Sequence, residues 1–319
     1  MTTVTAHYKV DSLAIDLNFY SRNFYEDAFY DNIGFQYGGK VYQDAYLING
    51  WDGYADTIIT FLGNGMRFNA WGDVVGGTVT ALVEEGYYGP EIWSAQNFSV
   101  SAASIYKAAL TYGNADDRAV LAKMMAGDDT VNLSAFNDRF EGWAGNDRIW
   151  GHAGNDTLIG GAGHDALSGG SGSDRLQGGD GNDRLFGAAG NDLLEGGTGG
   201  DMLEGGAGRD KMYGGADAVR DVFVFRARTD TAVGSQRDSI LQFRSGQDDI
   251  DLSPIDANLS RAGNQAFAFA GTAAAAHSLW YVKTADGILL RGDVNGNRTA
   301  DFEIWIDDAA RLGATDFIL

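Results

Sequence analysis

With 319 residues, 44% of them hydrophobic, the chain has room for two or three globular domains, and the absence of cysteine removes disulfides and thiolate chemistry from consideration. A formal net charge of −21 argues against nucleic acid as a partner. No run of the sequence approaches a transmembrane span, and residues 1–13 hold no apolar core of signal-peptide length.

Residues 1–126 read as a β-rich domain. Segments 35–37, 40–42, 57–62 and 77–83 have strand composition and are separated by Gly, Asn and Asp turns. Helical spacing takes over at 101–112 and 116–126, with Ser101 and Asn114 placed to cap or introduce the two helices. The second helix runs into Gly127 and is expected to cover the open first coil of the stack that follows, whose edge would otherwise be bare. Of the 14 tyrosines, 12 lie before residue 113, together with Trp51, Trp71 and Trp93. Such rings either pack the core of a small β domain or offer flat faces on which sugars stack. For the second use the candidate ligand-binding residues are Trp51, Tyr54 and Trp71. No HExxH, GxSxG or cysteine nucleophile is present, which excludes a metalloprotease or serine lipase on motif grounds. Acid pairs such as Asp52 with Asp56, or Glu84 with Glu85, leave a glycosidase or lyase open.

Residues 127–221 are the most acidic third, with 17 acids against 7 bases, and they are periodic. Aspartate recurs at every ninth position: Asp147, Asp156, Asp165, Asp174, Asp183, Asp192, Asp201 and Asp210. Two residues after each stands an apolar side chain, in order Ile149, Leu158, Leu167, Leu176, Leu185, Leu194, Leu203 and Met212. In the unit GGxGxDxUx the glycines permit a tight turn with positive φ, and the remainder is a stub of strand with one inward apolar residue. Two units close one coil, so aspartates eighteen apart stack at the strand spacing of about 4.8 Å. Two bare carboxylates about 5 Å apart at an effective dielectric of about 20 repel by roughly 3 kcal/mol, so a cation must sit between them. A hard divalent ion taking about six to eight oxygens suits turns that offer carbonyls beside each carboxylate, and magnesium fits less well. Upstream, Asp129 with Val131 and Asp138 with Phe140 keep the phase without the glycines, and Trp143, His152 and Ala188 replace the second glycine within the run.

This stretch resembles the repeats-in-toxin (RTX) calcium-binding β-roll. The resemblance implies several Ca2+ ions, each held by aspartates and glycine-turn carbonyls of repeat n and repeat n+2. The aspartates are the eight above. The carbonyls are those of Gly145, Gly154, Gly161, Gly163, Gly170, Gly172, Gly179, Gly181, Gly190, Gly197, Gly199, Gly206 and Gly208.

After Gly215 the phase breaks by two residues, and 221–225 reads as a longer alternating strand that ends the roll. The phrases at 238–243, 246–253, 267–269, 292–297 and 300–304, in this order, resemble the C-terminal domain of serralysin-type metalloproteases. That resemblance implies a domain that closes the roll and an uncleaved signal for the type I secretion apparatus. Asp316, Phe317, Ile318 and Leu319 match the family's ending, although a hydrophobic terminus packed into the sheet is also compatible. The family's protease half and zinc motif are absent, so secretion and calcium binding are implied and proteolysis is not. Asp293, Asn295, Asn297 and Asp301 echo part of a calcium loop, but Arg298 and Ile304 stand where its glycine and glutamate belong, and a hairpin turn is expected.

The expected fold is mainly β: a parallel β-roll of nonapeptide repeats at 127–221, a closing β domain at 222–319, and a β-rich N-terminal domain with two short helices at 1–126. The expected function is that of a secreted bacterial protein, extracellular or cell-surface associated. It folds on calcium after type I export and binds or adheres to polysaccharide without catalysis. A polysaccharide-active enzyme with its site in 1–126 is the first alternative, and a self-associating matrix protein the second.

Overall fold

The structure, a computed structural model, describes the backbone of residues 3–6, 24–30, 35–37, 40–42, 44–51, 56–68, 74–86 and 91–101, and residues 115–307 and 309–319. The chain divides into two compact units, Met1–Ile149 and Trp150–Leu319.

The first unit holds β1 (Thr3–Ala6), β2 (Phe24–Tyr30), β3 (Phe35–Tyr37), β4 (Lys40–Tyr42), β5 (Asp44–Trp51), β6 (Asp56–Phe68), β7 (Val74–Gly86) and β8 (Glu91–Ser101), followed by α1 (Ala115–Met124), β9 (Thr130–Asn132) and β10 (Arg139–Glu141). Its main sheet runs β2-β5-β6-β7-β8-β1-β9, with β3 and β4 as a separate hairpin. The four segments read as strands are strands, and 57–62 and 77–83 are the middles of longer ones, β6 and β7. Ser101 closes β8 rather than opening a helix, and 102–114, including Asn114, lie outside the described residues. The second expected helix is α1, with Val120 and Met124 buried one turn apart.

The helix is not what pairs the first rung of the stack. β1 does, lying parallel to β9 with Val4 opposite Val131. An open strand edge needs backbone donors and acceptors, which a strand supplies and the side of a helix does not. Trp51 ends β5, whereas Asp52, Tyr54 and Trp71 lie outside the described residues.

β11 (Arg148–Ala153) straddles the division. The second unit continues with β12 (Thr157–Ala162), β13 (Ala166–Ser171), β14 (Arg175–Asp180), β15 (Arg184–Gly190), β16 (Leu193–Thr198), β17 (Met202–Gly208), β18 (Lys211–Tyr213), β19 (Val222–Val224), β20 (Asp238–Leu241), β21 (Asp249–Asp251), β22 (Ala268–Phe269), β23 (Ser278–Lys283), β24 (Gly287–Gly292), β25 (Phe302–Asp307) and β26 (Phe317–Ile318). Within the unit, one sheet runs β13-β15-β17-β19-β21-β26, and the other runs β12-β14-β16-β18-β20-β25-β24-β23-β22. Each repeat therefore supplies one strand to alternate sheets, and the register is i to i+18: Leu158 to Leu176 to Leu194, and Leu167 to Leu185 to Leu203. These leucines and Met212 are fully buried and form a one-residue-wide ladder between the sheets.

β19 does not end the roll. Met212 pairs with Ile240, Leu203 with Phe223 and Phe223 with Ile250, so parallel stacking continues through β20 and β21 to β25 and β26. The apolar ladder survives the change of spacing because surface loops absorb the extra residues. Only then does the antiparallel set β23-β24-β25 close the sheet. The loop 293–301 joins β24 to β25, a hairpin connection as expected. Asp293 accepts from the backbone of Asn295 and Arg298, and Asp301 from Val294.

Candidate metal centre

The turn of each repeat brings one carboxylate inside. In the second unit the backbone N–H of Asp156 donates to Asp174 Oδ1 at 2.8 Å, and the same bond at 2.8 Å links Asp165 to Asp183, Asp174 to Asp192, Asp183 to Asp201 and Asp192 to Asp210. In the first unit Asp129 donates likewise to Asp147 at 2.7 Å. The aspartates thus form columns, one turn of the roll apart, and all eight predicted ligands are buried. Asp138 departs from the pattern. In its glycine-free turn Oδ2 accepts from the Ser134 N–H and hydroxyl at 2.9 and 2.8 Å, a local cap in place of a metal turn.

One oxygen per carboxylate is thereby satisfied. The second, Oδ2 of Asp174, Asp183, Asp192, Asp201 and Asp210, is buried with no hydrogen-bond partner. Burial pushes the carboxyls of Asp183, Asp192 and Asp201 up to about 7 and that of Asp210 to about 6. The backbone N–H opposes that rise in each, and neighbouring aspartates add to it. Bare ionised carboxylates are therefore disfavoured here at neutral pH, and positive charge beside Oδ2 would relieve them.

The glycines shape the remaining donors. At the fourth position φ lies far in the region that L side chains rarely adopt, +132° at Gly172 and +128° at Gly181. A methyl group at either would sit 1.7 Å from the carbonyl oxygen of the glycine one turn earlier, Gly154 or Gly163. Carbonyls at this position therefore face the next turn. The second position is more tolerant: Trp143, His152 and Ala188 occupy it with φ of 67°, 73° and 79°. At the first position, a methyl group on Gly178 would meet both Asp183 Oδ2 at 2.2 Å and the Gly196 carbonyl at 2.5 Å. A carboxylate and a carbonyl from successive turns thus converge on one point, which only glycine leaves open. No group of three or more His, Cys, Asp or Glu side chains gathers among the described residues, so a cation here draws most of its ligands from the backbone. An all-oxygen set of carboxylate plus carbonyls fits calcium.

Residues 125–158, 159–194 and 195–218 match the family model of the RTX calcium-binding nonapeptide repeat. This stretch is an RTX nonapeptide array. Among solved structures, the RTX-bearing chain is similar to a subunit of the mannuronan C5-epimerase AlgE6 of Azotobacter vinelandii, at 24% identity over 61% of this chain and 79% of that one, with a TM-score of 0.26. It is also similar to the extracellular lipase LipA of Serratia marcescens, at 16% identity over 61% of this chain and 40% of that one, with a TM-score of 0.28. No curated protein matches the chain.

Sequence reasoning stopped the RTX carboxylate columns at Asp210, whereas Asp221, Asp238 and Asp248 extend them. The signal was present at all three: Asp221, Asp238 and Asp248 precede Phe223, Ile240 and Ile250 by two positions, as every repeat aspartate precedes its apolar residue. Of the terminal four residues, Phe317 and Ile318 are part of the sheet as β26, and Asp316 ends the turn before it. Asp316 is fully buried and accepts from Ser245 Oγ, Gly246 N and Gly313 N at 2.8, 2.7 and 2.9 Å. Phe317 and Ile318 pair with Ile250 and Asp251, and the Phe317 ring lies 5.0 Å from that of Phe269.

Proposed function

We propose that this protein is exported unfolded by a type I secretion apparatus and becomes ordered outside the cell when calcium fills the array. The observation that supports this reading is the column of buried aspartates whose Oδ2 atoms have no hydrogen-bond partner. One buried leucine in nine residues offsets little of the ordering entropy of a glycine-rich segment, and stacked carboxylates oppose folding further. Bound calcium supplies the missing positive charge. Each ion that binds only the folded array contributes about 2.7 to 4.1 kcal/mol at about 100 to 1,000 times its dissociation constant. Cytosolic calcium is too low to fill sites of ordinary affinity, which keeps the chain threadable before export.

In this reading Asp316, Phe317, Ile318 and Leu319 act as the export signal while unfolded, and Phe317 and Ile318 form the last strand afterwards. Residues 1–126, with their surplus of tyrosine, form a non-enzymatic module that binds extracellular or cell-surface polysaccharide. Deleting residues 316–319 should leave the chain inside the cell at unchanged synthesis, and continued export would overturn the signal assignment. A glycan-array screen of the full chain in millimolar calcium tests the binding module: retention of a polysaccharide, lost in Trp51→Ala or Trp71→Ala, supports it. Depolymerisation of the retained polymer would point instead to an enzyme.

A further inference from the structure

The carboxylate columns run past the segment matched as repeats, and the two end differently. On one, Asp201 N donates to Asp221 Oδ1 at 3.0 Å, and Asp221 N to Asp248 Oδ1 at 3.3 Å. On the other, Asp210 N donates to Asp238 Oδ1 at 2.7 Å. The residues so linked are 20, 27 and 28 apart, so the nonapeptide spacing is gone while the carboxylate arrangement persists.

At the first end a cation is built in. Arg244 Nη2 lies 3.4 Å from Asp221 Oδ2, its Nε lies 3.5 Å from Asp248 Oδ2, and its backbone N–H donates to that same Asp248 oxygen at 2.8 Å. At the second end there is none. Asp238 is fully buried, its Oδ2 has no hydrogen-bond partner, and the charged groups facing it, Asp210 and Asp230, are both acidic. The adjacent Arg237 is turned to Glu303, at 3.2 Å. The backbone of this end is complete: Asp238 N–H, with no further aspartate to bond, donates to Thr231 Oγ1 at 3.0 Å, and the Thr231 hydroxyl donates to the Glu303 carbonyl at 2.6 Å. What is left over is a buried carboxylate oxygen without a partner rather than an unmade backbone bond. Asp210 Oδ2 is equally buried and unpartnered. Two such oxygens on consecutive turns reproduce the carboxylate part of the arrangement inside the array, and a carboxylate buried this deeply ionises readily only beside a cation.

We infer that Asp210 and Asp238 hold one more calcium ion, beyond the nonapeptide repeats, whereas Arg244 takes the cation's place at the other column end. The inference rests on calcium filling the array, and the test separates the two. Calcium bound per full-length chain is measured by equilibrium dialysis and elemental analysis at pH 8 in millimolar calcium. A wild-type chain that binds no calcium contradicts the array reading itself. Given binding, Asp238→Asn, which keeps an oxygen to accept from Asp210 N–H, should bind one ion fewer than wild type. Asp210→Asn, which serves its own repeat as well, should bind two fewer. Thr231→Val removes the hydroxyl that accepts from the Asp238 backbone but leaves both carboxylates in place, and should keep the wild-type number. Any other count for Asp238→Asn overturns the inference, as does an equal loss in Thr231→Val.

Discussion

Replacing Gly181 by alanine separates the fourth position of the repeat from the second. At φ +128° the added methyl group would stand 1.7 Å from the Gly163 carbonyl oxygen, where carbon–oxygen contacts otherwise begin at about 3.3 Å. The left-handed conformation itself costs an L residue about 1–2 kcal/mol. Relieving the overlap shifts the turn and threatens two backbone bonds, Gly163 N to Asp180 O at 2.8 Å and Gly181 N to Thr198 O at 2.7 Å. Each contributes about 0.5–1.5 kcal/mol, so Gly181→Ala should lose about 2–5 kcal/mol in all. Gly179→Ala is the control. Its methyl group also meets a carbonyl, at 2.0 Å from Gly161 O, but Ala188 shows that the second position rotates to φ 79° and keeps its place in the ladder. That loss should stay at about 1–2 kcal/mol. Denaturant unfolding in saturating calcium, followed by circular dichroism, reads both, and equal losses would refute the assignment of distinct roles to the two glycines.

Calcium affinity should depend on pH with a definite sign. Burial raises the Asp183, Asp192 and Asp201 carboxyls to about 7, so without metal the folded array holds protons there and loses stability as pH rises from 3.8 toward 7. Calcium must displace those protons, so its apparent affinity should weaken as pH falls from 8 to 6, and an unchanged midpoint over that range would contradict the burial argument. Arg244→Met should lower stability by about 1–3 kcal/mol, less than for a wholly buried pair because the Arg244 side chain is 28% exposed. Partial rescue by Arg244→Lys would show that charge matters, and a neutral Arg244→Met would dismiss the built-in cation.

The array was legible because its residues repeat their roles. A fixed phase between Asp174 and Leu176, copied nine residues on at Asp183 and Leu185, specifies the turn, the inward face and the i to i+18 register together. The tolerance of the second position could also be read, since Trp143, His152 and Ala188 interrupt the glycines without disturbing the next aspartate. Legibility ended where loops replaced the period. Asp210 looks like the fraying end of the run, yet Asp238, 28 residues on, continues its column. The pairing of β1 with β9 joins segments more than a hundred residues apart and leaves no local signature. Nor does the sequence show that Arg244 stands where a repeat would have glycine carbonyls, or that Asp316 is pinned by Ser245 and Gly246, because both depend on how the closing loops cross the stack.

Hydrogen–deuterium exchange of the full-length chain at pH 8, read by mass spectrometry on peptides from 156–213, tests most directly whether calcium and folding are one event. In chelator these amides should exchange as in an unstructured chain. In millimolar calcium those paired between β12 and β18 should be strongly protected, and should become so together over a narrow range of calcium concentration. Equal protection in chelator and in calcium would contradict the account.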